Sequence, residues 1–154
     1  MNWTNFLIGT LIVGAVATVA STVAVVAATA KERKTPYAGV QAVSHIAYGE
    51  KAIGQDNYRP QFFWTGFGLN AGAMLGWAAV FEGGRRLLGW TDPGAIAVLA
   101  IGVTVLAYVV DFHVVPKRLT PGFERVVSQP TLLAIYGILA TSIWLGGLGA
   151  SALA

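Results

Sequence analysis

Four stretches of this 154-residue chain are long and apolar enough to be read as membrane spans, and that pattern leaves few folds open. They cover about 4–30, 61–82, 94–115 and 131–153. A helix needs roughly 20 apolar residues to cross a hydrocarbon core about 30 Å thick. Lipid offers the backbone no hydrogen-bond partner, so a spanning segment must satisfy its own N–H and C=O groups, as an α-helix does. Composition agrees, with 55% hydrophobic and 11% charged residues against roughly 25% charged in an ordinary soluble domain. The expectation is an all-α integral membrane four-helix bundle, forming a single transmembrane domain over residues 1–154.

Local punctuation marks each run. Lys31-Glu32-Arg33-Lys34 stops the first; Pro60 opens the second and Gly83-Gly84 follow it; Pro93 opens the third, Pro116 ends it, and Pro130 opens the fourth. Proline in a first helical turn and glycine beyond a last one are the expected asymmetry. Ala28-Thr29-Ala30 resembles a leader cleavage site, yet no Lys or Arg precedes Phe6. The apolar run there also exceeds the roughly 7–15 residues of a signal core, so the segment is read as a span.

The ten basic residues set the orientation. Lys31, Arg33, Lys34, Lys51 and Arg59 fall in loop one, Arg85 and Arg86 in loop two, and Lys117, Arg118 and Arg125 in loop three. Eight against two places loops one and three in the cytoplasm and both termini in the periplasm. The net charge of +3 is thus an orientation signal without an extended basic face, and no nucleic-acid partner is expected. Loop one is long, and Thr35-Pro36 followed by Tyr37, Val40, Val43 and Ala47 at helical spacing predicts a short amphipathic helix over about 36–48 in the membrane interface.

Association in lipid relies on small residues that let backbones approach. Gly68, Gly72 and Gly76 recur along one face of span two, and Ser142, Gly146 and Ala150 along one face of span four. Both faces are candidates for packing within the bundle or against a partner. Asn70, near the middle of span two, is the candidate midplane polar site, as an interhelical hydrogen bond or as a ligand contact.

Side chains able to carry chemistry are few. Cysteine is absent, which removes thiolate catalysis and disulfides. No phosphate-cradling loop, nucleophile elbow or zinc-protease motif is present. Candidates remain only on the cytoplasmic side: His45, Glu50, Asp111, His113, Lys117 and Arg118. Asp111 is expected to pair with Arg33, Lys34, Lys51 or Arg118, and Glu82 with Arg86. No cofactor is expected, with His45 and His113 the candidates should haem or a metal bind.

Ser44-His45 with Gly49-Glu50, Phe81-Glu82, and Asp111 followed by PKRLTPGFE at 116–124 together resemble an uncharacterised group of small four-span inner-membrane proteins of proteobacteria. The resemblance implies that setting, a loop-one helix sharing one cytoplasmic surface with the foot of span three, and no particular activity. The expected function is a non-enzymatic accessory or structural subunit of a larger inner-membrane assembly, with other membrane proteins, lipids or further copies of itself as partners. The alternatives are a small oligomeric channel or transporter with Asn70 at its site, and a haem- or metal-binding membrane protein.

Overall fold

The structure, a computed structural model, describes residues 2–152, and all regular structure among them is helical. Four long helices form the body: α1 (Trp3–Arg33), α4 (Pro60–Leu88), α5 (Pro93–Val109) and α6 (Gln129–Ala152). Two short ones, α2 (Ala38–Val43) and α3 (His45–Tyr48), lie between α1 and α4. The predicted end of the last span at Leu153 lies outside the described residues.

Helix ends follow local rules. Asn2 caps α1 by accepting from Thr4 N and Asn5 N, and Asp92 caps α5 by accepting from Gly94 N and Ala95 N. Pro60 and Pro93 occupy first turns as expected. The predicted stop at Gly83-Gly84 is corrected: α4 runs through them to Leu88 and ends at Gly89, whose φ of 65° is the left-handed conformation that glycine adopts without strain. Glycines inside a helix weaken it without breaking it when tertiary contacts hold both sides.

Three of the long helices, Trp3–Arg33, α5 with its continuation to Val114, and Gln129–Ala152, are long and apolar enough to cross a membrane. The expected fourth, α4, has the length, at 29 residues, but falls outside that group. Its glycines, Asn70, Glu82, Arg85 and Arg86 dilute its apolar content.

In the packing order, α1 sits between α4 and α6, and α5 leans on α6, while α4 and α6 barely touch. The α1–α6 seam closes on small residues: a Cβ on Gly146 would lie 3.0 Å from Val13 Cα. Ser142 and Ala150 are buried with it, so the small-residue face of α6 is spent inside the bundle. The corresponding face of α4 is not. Gly68, Gly72 and Gly76 are exposed, and a Cβ on any of them would meet nothing within 4 Å. The glycine of α4 that does bring backbones together is Gly66, where a Cβ would collide with the Val40 carbonyl of α2.

Loop one also departs from expectation. A single interfacial helix over 36–48 is replaced by α2, α3 and a 3-10 turn over Gly49–Ala52. Every residue from Ala38 to His45 is buried, against α1 and α4. An amphipathic surface helix would keep one wet face; this segment is tucked into the bundle because Gly39 and Gly66 allow contact at backbone distance. Gln41, fully buried, holds the return: its Nε2 donates to the carbonyls of Gln55 (2.9 Å) and Asn57 (3.0 Å), and its Oε1 accepts from Arg59 N.

Candidate functional site

Where α4 and α6 diverge, a small cavity of about 90 Å³ opens into the bundle. Its back wall is α1 at Ser21, its sides are α4 (Leu69, Asn70, Met74, Trp77) and α6 (Ile135, Tyr136, Leu139), and its floor is Val43, Ile46 and Phe123 from the connections. Exposed Ala73 marks its mouth. A mostly apolar lining with a handful of convergent polar groups is the usual character of a small-molecule site. Two residues singled out in the sequence, Asn70 and Asp111, line it together.

Asn70 is fixed from behind. Its Nδ2 donates to Ser21 Oγ at 3.0 Å and Thr22 Oγ1 at 3.3 Å, both on α1. Ser21 spends its own proton on the Thr18 carbonyl, so it must accept from the amide, and this sets the orientation of Asn70.

Asp111 owes its place to a change of helical pitch. After Val109 the helix widens into a π turn over Val110–Val114, closed by Val115 N to Val110 O at 3.0 Å. Pro116 cannot donate and forces Val115 into the extended region (ψ 149°), so the helix must end there. Single π turns recur at functional sites because they reorient one or two side chains. Here the half-buried Asp111 accepts the Tyr136 hydroxyl at 2.6 Å. The expected cationic partners are thereby corrected: no ion pair involves Asp111 among the described residues. Tyr136, which sequence reasoning missed, sits 25 residues away with no local signal linking it to the acid.

The expected cytoplasmic surface divides in two. His45 is not on a surface at all. At 2% exposure its Nδ1 donates to the Ala42 carbonyl at 2.9 Å, and its Nε2 lies 3.5 Å from the Lys117 carbonyl. Gly122, with φ 86°, presses on the same spot, where a Cβ would lie 2.6 Å from both Ala42 O and His45 Nδ1. Thus the Ser44-His45 pair and the PKRLTPGFE segment do meet, through buried contacts. His113, Lys117 and Arg118 are exposed, and the His113 ring lies against Tyr108. The imidazoles of His45 and His113 therefore have separate surroundings, and no group of three His, Asp or Glu able to hold a metal ion forms among the described residues.

Glu50 lies outside the long helices and pairs with Arg125 at 2.6 Å, linking loops one and three. The Arg125 hydrogen bond lowers the Glu50 carboxyl below the ordinary range, and the same contact raises Arg125. A second link came without sequence warning: Glu32 accepts from Ser128 N, Ser128 Oγ and Thr131 Oγ1, a carboxylate on the positive end of α6. At the opposite end of the bundle the expected Glu82–Arg86 pair is present at 3.1 Å, and Arg85 joins it through two bonds of 2.9 Å.

Protein-family models, characterised proteins and solved structures were all compared with the chain, and none matches it.

Proposed function

We propose that this protein is a non-enzymatic accessory subunit of a larger membrane assembly, docked on another integral membrane protein through the Gly68, Gly72 and Gly76 face of α4. The observation that carries this reading is the contrast between two small-residue faces. That of α6 is filled by α1, whereas that of α4 is bare and exposed on the least apolar of the long helices. Close backbone approach on such a face favours helix association in lipid. A helix covered by protein also tolerates lower apolarity than one facing lipid, which supports α4 as a fourth span; its 29 residues would reach about 43 Å at 1.5 Å per residue.

In this reading the protein is a multi-pass protein of the bacterial inner membrane. The connections carrying Lys31 to Arg59 and Lys117 to Arg125 face the cytoplasm, with both termini periplasmic. The exposed His113, Lys117 and Arg118 belong to that cytoplasmic face.

The test is stoichiometric co-purification from native membranes in mild detergent. Gly72→Leu adds bulk where the bundle has open space, so the protein should fold and lose its partner. Gly102→Leu, at an equally open position on α5, should keep it. A wild-type protein that leaves native membranes as a clean monomer, or a complex indifferent to Gly72→Leu, would refute the reading.

A further inference from the structure

The cavity between α4 and α6 has a hydrogen-bond account weighted toward open acceptors. Both protons of the Asn70 amide go to Ser21 and Thr22, the Ser21 proton goes to the Thr18 carbonyl, and the Tyr136 proton goes to Asp111. Asn70 Oδ1 and the second carboxyl oxygen of Asp111 receive no donor from the described residues, and neither is sealed away as a buried orphan. The protons of Ser21, Asn70 and Tyr136 are thus spent, while two acceptors stay open. The rest of the lining is mostly apolar: Leu69, Met74, Ile135, Leu139 and the ring of Trp77, whose indole N–H has no acceptor among the described residues.

An apolar guest alone would leave both acceptors desolvated and unpartnered, which opposes its binding. A carboxylate or phosphate guest would oppose Asp111 and bring only acceptors. We infer that this cavity binds an amphipathic molecule whose polar end donates hydrogen bonds, a hydroxyl or ammonium headgroup, with its apolar chain leaving past Ala73 toward the bilayer. The acceptors of Asn70 and Asp111 select the head, and the apolar walls hold the first part of the chain. The site lies on a different flank of α4 from the bare glycine face, so it stands apart from the docking reading.

Trp77 lines the cavity and provides the readout. In lipid nanodiscs, the full chain carrying Phe at Trp3, Trp64, Trp90 and Trp144 would be titrated with three probes brominated near the head: a monoacylglycerol, an alkylammonium and a fatty acid at neutral pH. The expected result is saturable Trp77 quenching by the first two at concentrations at least tenfold below those the fatty acid needs. A stronger ammonium than hydroxyl response would identify a charged headgroup as the occupant, and the reverse a neutral one. Asp111→Leu should abolish the preference. Tyr136→Phe, which removes a competing donor and little volume, should keep or sharpen it, so a misfolded Asp111 variant would not end the test. Equal quenching by all three probes, a preference for the fatty acid, or a Tyr136→Phe protein that binds none while retaining wild-type helicity would overturn the inference.

Discussion

Replacing Glu82 by Leu tests how the end of the bundle near Asn2 is held. Glu82 is fully buried and accepts three charge-assisted hydrogen bonds, two from Arg85 at 2.9 Å and one from Arg86 at 3.1 Å. Arg85 is only 4% exposed, and Arg86 also donates to the Asn5 carbonyl at 2.8 Å, tying α4 to the start of α1. The carboxylate fits because Gly9 of α1 presents no side chain where a Cβ would strike it. Leu would restore apolar volume but strand the Arg85 guanidinium, and breaking one partner from a buried pair costs about 3–5 kcal/mol. Against a total of roughly 5–15 kcal/mol for a folded protein, that loss is large. Reversible unfolding in mixed micelles, with SDS as denaturant and far-UV circular dichroism as readout, should show it. Glu82→Leu combined with Arg85→Met removes the stranded charge and should recover most of the loss. Gly9→Ala should destabilise the wild type, and do so less in a Glu82→Ala background, since the clashing carboxylate is then gone. A single Glu82→Leu variant within about 1 kcal/mol of wild type, the range of solvated pairs, would refute the buried-charge reasoning.

Three further outcomes follow from the connections. Gln41→Ala removes two bonds to the return loop and leaves Arg59 N without its acceptor; it should cost about 1–3 kcal/mol and speed proteolysis within 54–59. Gly122→Val combines a forbidden φ with a clash against Ala42 and His45, and should lower the thermal midpoint far more than Gly54→Val, whose added Cβ meets open space. Because the Glu50 carboxyl titrates below its ordinary range in the folded protein, its contact with Arg125 is complete above the usual carboxylate pKa and is lost as pH falls through the lowered one. A carboxyl-carbon NMR titration should therefore show a depressed Glu50 midpoint that moves up in Arg125→Gln, with little change in global stability for so exposed a pair.

The helices themselves were legible from the sequence because their signals are local. Apolar run length, Asp92 and Pro93 at one start, Pro60 at another, and the basic cluster after the first span set the elements and most of their ends. Composition alone also singled out Asn70 and Asp111, since a polar group in an apolar run must find a partner or a use. The Glu82–Arg86 pair was readable from helical spacing, and Arg85, three residues on from Glu82, stands at an equally suitable spacing that the sequence reading left out.

Tertiary structure alone decided which neighbour each face received. Gly68, Gly72 and Gly76 share their four-residue spacing with Ser142, Gly146 and Ala150, yet one set lies open and the other is packed, because only α6 among the two presents its small residues to α1. Gln41 and His45 fall within the predicted interfacial helix, which would keep a wet face, and prove to be buried, each satisfied by carbonyls. Tyr136 reaches Asp111, and Glu32 reaches Ser128, across 25 and 96 residues. Periodicity along a chain states what a helix can offer. Whether the offer meets protein, lipid or an open cavity is settled by how the other helices cross it.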